Sequence, residues 1–392
     1  MRILFYADGR SAATKNWLRF CIQRGDDVHL VTSYSCEDIP GLASLRLVPV
    51  AFSSVKKDAG ISGKGKSRLW GSSMVKTRLL LRQWLGPLTI PTAGQALKKI
   101  TNTIQPDLVH AMRIPYEGMV AGASRSSHPL VISVWGSDFI QHAQSSPLMG
   151  YWTRKAMQAA DGLHPDCERD LRLGREWGFH KDKPHMVIPG NGGIDPKVFH
   201  RPSVPVTQPV ILNPRGFRSS IRQDIFFRSI PLVLEKVANA RFLCSSMAGD
   251  ADAEGWVKRL GIGSSVDLLP HRPHAEMGDL LRKTAVLVSP SSHDGTPNSV
   301  LEGMACGCYP VAGDIESLRE WITSGKNGTL VDPENAKDLA DAIVNALLDP
   351  EMRLRAAGEN TTIITSRADY MTCMGKAEEF YQEVIKTSKL KV

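Results

Sequence analysis

No run of apolar residues in this 392-residue chain approaches the roughly 18 that a helix needs to cross a bilayer, so nothing reads as a membrane span. Cysteine is sparse and unorganised: Cys21, Cys36, Cys167, Cys244, Cys306, Cys308 and Cys373 are odd in number and form no CxxC pair or metal-ligand spacing. That argues against a disulfide framework or a zinc module and fits a reduced, intracellular compartment. The opening MRILFYADGR turns polar too soon for a signal peptide, so the expected location is cytoplasmic. Repeats at solenoid periods are missing as well. Ordinary globular composition, 42% hydrophobic and 22% charged, leaves two domains of about 150–200 residues as the expectation.

Acid is scarce in one region. Residues 55–100 hold Lys56, Lys57, Lys64, Lys66, Arg68, Lys76, Arg78, Arg82, Lys98 and Lys99 against Asp58 alone, which more than accounts for the net charge of +8. A solvated loop is one reading. Peripheral contact with the anionic inner face of a membrane is a second, because Trp70, Leu79, Leu80, Leu81, Trp84 and Leu85 interleave with the cations. Nucleic acid is not an expected partner, since no binding module accompanies the charge.

What is present is alternation. Apolar runs at 2–8, 27–33, 45–50, 107–111 and 129–136 read as buried strands, with helical patterns at 11–24 and 93–104. A second series follows at 209–214, 240–246, 266–270, 285–290, 308–313 and 328–332, separated by helical patterns at 223–237, 273–283, 298–306, 315–323 and 335–348. Such alternation predicts parallel sheets covered on both faces, hence two doubly wound α/β domains. The expected division is 1–200, a hinge at the proline-rich 201–209, and 210–368, with part of 369–392 packing back on the first domain.

The segment SPSSHDGTPNSVLEGMACG, 289–307, carries the chemistry. A strand ends, turns at Gly295, and passes through Thr296 as N-cap and Pro297 into a helix containing Asn298 and Ser299. Free amides and the positive dipole end there suit a diphosphate. Asp294 and Glu302, with seven residues between them, bracket the turn and suit sugar and ribose hydroxyls. Asp250-Ala251-Asp252 reads as a polar loop rather than a metal site, and HRPH at 271–274 lacks further zinc ligands.

PSSHDGTPNSVLEGMACGCYPVAGDIESLREWITSGKNGTLVDP resembles the retaining GT-B glycosyltransferases of family four, the group 1 glycosyl transferases, whose donor motif is two acidic residues separated by seven. The resemblance implies two Rossmann-like domains facing a central cleft. The activity it implies is transfer of a hexose, without a metal or cofactor, from a UDP-sugar or GDP-sugar to a glycan or lipid-linked acceptor. It implies donor-diphosphate contacts from Arg215 and from Arg222, with Arg218 as substitute, and base contacts from His271 and Arg272. Gly192, Gly193 and Asp195, in VIPGNGGIDPKVF, are expected near the cleft. On the acceptor side, Gly9 and Arg10 match the opening glycine loop, and His110 is expected to face the cleft. SVWGSDF keeps Gly136 and Asp138 but has Trp135 where the family has histidine; Asp138 serves equally as a helix N-cap. Alternatives within the same fold are a non-catalytic nucleotide-sugar binder and a nucleotide-sugar epimerase.

Overall fold

The computed structural model describes residues 1–53, 82–217 and 220–389. The chain divides into two units, Met1–Gly192 with the segment from Met374 onward, and Gly193–Cys373. The boundary lies ahead of the proline-rich segment, which belongs to the second unit: Val206 O accepts from Arg353 Nη2 at 3.4 Å.

The first unit holds a six-stranded parallel sheet of β1 (Arg2–Ala7), β2 (Asp27–Thr32), β3 (Ser44–Leu47), β4 (Leu108–Met112), β5 (Leu130–Val134) and β6 (Gly162–Pro165), in the order β3-β2-β1-β4-β5-β6. Five of these strands are the expected ones. The missing one, β6, is the four-residue GLHP, whose glycine and proline read as turn residues. Its glycine is required by packing, because a Cβ on Gly162 would collide with Val384 and Phe380 of the helix Tyr370–Lys389.

The second unit repeats the plan with β7 (Val210–Asn213), β8 (Arg241–Cys244), β9 (Val266–Leu268), β10 (Val286–Ser289), β11 (Tyr309–Gly313) and β12 (Thr329–Val331), ordered β12-β11-β10-β7-β8-β9. Central strands are apolar throughout because helices cover both faces: Val286, Leu287 and Val288 are wholly buried. Helices at Ala251–Leu260 and Pro350–Arg367 were not expected. Asp250, read as part of a polar loop, caps the first of these, accepting from Asp252 N at 2.9 Å and Ala253 N at 3.1 Å.

Among the described residues no helix is long and apolar enough to cross a membrane.

Candidate active site

In the second unit, β7 and β10 lie side by side although β8 and β9 separate them in sequence. The chain leaves β7 toward β8 and leaves β10 toward β11, so their carboxyl ends open a crevice, the usual ligand position in such sheets. Two expected residues meet there: Arg215, past β7, donates through Nη1 to Asp294 Oδ2, past β10. Both side chains are largely buried, at 17% and 19% exposure, so the pair is well shielded from water.

The loop bearing Arg215 is held by residues the sequence reading missed. Asn213 Nδ2 donates to Gln223 Oε1 at 2.6 Å, while Gln223 Nε2 donates to the Arg215 carbonyl at 2.7 Å. Asp294 is held at its carbonyl by the Ser317 hydroxyl at 2.8 Å. Gly313, at the end of β11, allows the turn after β10 to pass, since a Cβ there would collide with Ser291 O.

Helix Asn298–Ala305 starts where its pattern does, but Pro297, not Thr296, occupies the N-cap position, and the Thr296 hydroxyl instead accepts from Trp321 Nε1 at 3.2 Å. Gly295 is buried, its amide donating to Asp294 Oδ1 at 3.0 Å. The early amides of this helix, those of Asn298 and Ser299, fall at its positive end. Glu302 is nearly buried and its Oε1 lies 2.9 Å from His274 Nε2, whose ring packs against Phe199 at 4.7 Å. His274, at the end of the motif whose His271 and Arg272 are the expected base contacts, is the partner that the sequence does not single out.

Other expected donor contacts are otherwise engaged. The Arg222 guanidinium pairs with Asp224 at 3.0 Å and Glu334 at 2.7 Å, so carboxylates already occupy the fork meant for a diphosphate. Arg218 lies outside the described residues. His271 Nδ1 is 3.3 Å from Ser246 Oγ, and Arg272 pairs with Glu276 at 3.4 Å on an exposed surface. Gly193 is accounted for by backbone geometry: φ is +109°, and a Cβ would press on the Ala368 carbonyl.

In the first unit, a cavity of about 390 Å³ opens at the carboxyl ends of β1, β4 and β5, lined among others by Asp8, Arg10, Tyr34, Arg113, Glu117 and Trp135. Arg10 pairs with Asp8 at 2.7 Å and stacks on Tyr34, 3.9 Å from the ring centre. Gly9 is demanded by space, since a Cβ would collide with Cys36 Sγ.

Two expected residues are wholly buried. His110 does not face solvent: it is wholly buried, bonded through Nδ1 to Tyr381 Oη at 2.6 Å and through Nε2 to Ser133 Oγ at 2.7 Å. Ser133 Oγ continues to His164 Nδ1 at 2.8 Å, forming a polar thread across the sheet. Burial, and then the neighbouring His164, push the His110 pKa well below its ordinary value. Asp138 is likewise wholly buried, its Oδ2 accepting from Ile114 N at 3.1 Å and Trp135 N at 3.2 Å. Through these bonds it ties together the loops after β4 and β5. Burial raises its pKa to about 6, against the lowering pull of Arg113.

Glu117, also missed, is a buried carboxyl in the wall of this cavity: Oε1 accepts from Ser33 Oγ at 2.5 Å, and burial raises its pKa. His142 stands 3.1 Å from Arg113 Nη2, and burial followed by the charges of Arg113 and Arg82 lowers its pKa to about 4. Among the described residues one group has metal-ligand proximity, Asp166, Cys167 and Asp170 in the first unit. Arg169 stands 2.7 Å from Asp170 there, so a resident cation already serves that carboxylate.

Residues 208–349 match the family model for the group 1 glycosyl transferases, and residues 81–164 match that for glycosyl transferase 4-like domains. These two matches identify the chain as a glycosyl transferase, with a group 1 domain over 208–349 and a 4-like domain over 81–164. Within that family it is similar to the D-inositol 3-phosphate glycosyltransferase of Thermobispora bispora, 29% identical over 140 residues, which are 36% of this chain and 31% of the relative. It is also similar to the N,N'-diacetylbacillosaminyl-diphospho-undecaprenol alpha-1,3-N-acetylgalactosaminyltransferase of Campylobacter jejuni, 37% identical over 83 residues, 21% of this chain and 22% of the relative. These matches span about a third or less of the relatives' lengths. In structure it resembles the sucrose-phosphate synthase of Thermosynechococcus elongatus, with TM-score 0.75, 15% identity and coverage of 99% of this chain and 100% of that one. The Anabaena HepE protein in complex with UDP gives 0.70 at 14% identity, covering 97% and 99%. The fold is that of the GT-B glycosyltransferases: two six-stranded parallel Rossmann-like units.

Proposed function

We propose that the protein is a retaining glycosyltransferase that moves a hexose from a UDP-sugar to a glycan or lipid-linked acceptor, as a step in polysaccharide biosynthesis, without a metal. The observation that carries this reading is the meeting of Arg215 and Asp294 at the crevice between β7 and β10, ahead of a helix that bears Glu302. A diphosphate placed there is met by the Arg215 guanidinium and the amides of Asn298 and Ser299. Asp294 then orients Arg215 and offers its remaining lone pairs to donor-sugar hydroxyls. Glu302, steadied by His274, accepts from the ribose hydroxyls. Arg222 joins only by giving up a carboxylate partner, so Arg215 is the principal cation.

As the bond between the anomeric carbon and phosphate oxygen breaks, negative charge grows on the leaving diphosphate. Preorganised donors stabilise it there. The acceptor oxygen bonds to the anomeric carbon on the face the diphosphate leaves, and the hydroxyl proton passes to a phosphate oxygen. The acceptor is held by the first unit, in the cavity lined by Arg10, Tyr34 and Trp135. UDP complexes among the structural neighbours favour a uridine donor over GDP-mannose, and the phosphorylated inositol and undecaprenol diphosphate named for two relatives favour an acceptor carrying phosphate. We place the work on the cytoplasmic side, with the basic stretch 55–100 toward the membrane; residues 55–81 lie outside the described residues.

Arg215→Ala and Glu302→Ala each lower sugar transfer on the order of a hundred- to a thousandfold, the usual loss for one charge-stabilising group, with unfolding midpoints near wild type. Transfer at the normal rate by either variant refutes the assignment. Conversion of free sugar nucleotide without acceptor would instead identify an epimerase.

A further inference from the structure

Three helices of the first unit, Ile90–Ile104, Met119–Ser124 and Pro147–Ala159, pack side by side and contain no aspartate or glutamate. A groove of about 610 Å³ runs over them, lined among others by Gln95, Lys98, Arg125, Tyr151, Trp152 and Lys155, with no carboxylate in its wall. Among the described residues Lys98, Arg125 and Lys155 form no ion pair, whereas Arg2, Arg241 and Arg319 on the same protein's surface each face a carboxylate. Apolar groups stand out beside these cations: Leu88 is 62% exposed, Trp84 54% and Tyr151 52%, with Leu85 and Leu148 also exposed. The Ser146 hydroxyl donates to the Gln83 carbonyl at 2.8 Å, which ties the segment bearing Trp84, Leu85 and Leu88 to the start of the helix bearing Leu148 and Tyr151.

Unneutralised cations next to exposed tryptophan, leucine and tyrosine complement a partner that is anionic at its surface and apolar beneath. A soluble polyanion would leave the leucines and tryptophan wet. A lipid surface meets both needs, phosphate against the cations and acyl chain against the apolar rim. We infer that this face docks on a bilayer containing anionic phospholipid, with a lipid phosphate seated among Lys98, Arg125 and Lys155. The inference sharpens the membrane contact proposed above but uses no residue of 54–81 and none of the donor chemistry, so either can fail alone.

The test is co-sedimentation of the full chain with vesicles of pure phosphatidylcholine and of equimolar phosphatidylcholine and phosphatidylglycerol. Sedimentation is expected with the anionic vesicles only. Replacing the three cations together, K98Q/R125Q/K155Q, weakens it on the order of a hundredfold, about fivefold for each charge. Leu88→Ser with Tyr151→Ser weakens it while leaving the charge intact. An unchanged thermal shift with UDP in every variant shows that the second unit is intact, and a wild-type circular dichroism spectrum shows the same of the whole fold. Equal sedimentation with both vesicle types, or none with the anionic ones, overturns the proposal. So does a triple variant that sediments like wild type, which would move the contact to the basic residues of 54–81.

Discussion

Counted from each unit's own first strand, the two sheets have one order, 3-2-1-4-5-6, and each carries its candidate site where the first and fourth strands part. In the first unit this is the end of β1, with Asp8 and Arg10, beside the end of β4, with Arg113. In the second it is Arg215 past β7 beside Asp294 past β10. Topology thus sets the place twice, and the loops set the chemistry. The second unit offers the start of helix Asn298–Ala305 and one shielded ion pair. The first offers a cavity of about 390 Å³ with Arg10, Arg113 and the buried carboxyl of Glu117 in its wall.

The comparison is broken most sharply by nucleotide. UDP at a hundredfold excess over its dissociation constant stabilises the state that binds it by about 2.7 kcal/mol. We expect that gain in the second unit's unfolding, seen as a thermal shift, and its loss in Arg215→Met. A shift that survives Arg215→Met moves the nucleotide elsewhere.

A second cut goes through the cores. The first unit threads Tyr381, His110, Ser133 and His164 through its sheet, while in the second a buried amide pair, Asn327 Nδ2 donating to Asn360 Oδ1 at 2.9 Å, is a polar link without an imidazole. Tyr381→Phe strips one partner from a buried imidazole and should cost about 1–3 kcal/mol, read as earlier chemical denaturation of the first unit. Equal stability of this variant would mean that water replaces the hydroxyl.

The smallest effect is on pH. His110, His142 and His164 have folded pKa values lowered from 6.5, the last two to about 4, so the unfolded chain binds more protons between those limits. Their stabilising contribution is complete above 6.5 and is lost as pH falls toward 4. Asp138, raised to about 6, and Glu117, also raised, act in the opposite sense, because protonation in that window relieves a buried charge. Asp138→Asn removes part of this compensation, so its stability should fall more steeply than wild type below pH 6 in a denaturation series. A parallel fall in both proteins would refute the assignment.

Much of the fold was legible because parallel strands buried on both faces leave near-continuous apolar runs, as AVLVSP does. β6 was not, because GLHP gains its strand from neighbours and not from its own residues. At the site, Asp294, Gly295 and Glu302 were legible as a local string, whereas Gln223, Ser317 and His274 reach it from other segments. His110 misled because a histidine at a strand end looks alike whether it faces solvent or a buried tyrosine 271 residues away.

The sequence by itself determined the alternation of strand and helix, the local charge excess and the acidic pair on one turn, since each depends on neighbours a few residues apart. Tertiary structure alone decided which distant charges meet: that Arg215 faces Asp294, that Arg222 is taken by Glu334, and that Asp138 is buried. Pairing and desolvation depend on what the fold brings alongside from far along the chain, and local pattern carries no record of that.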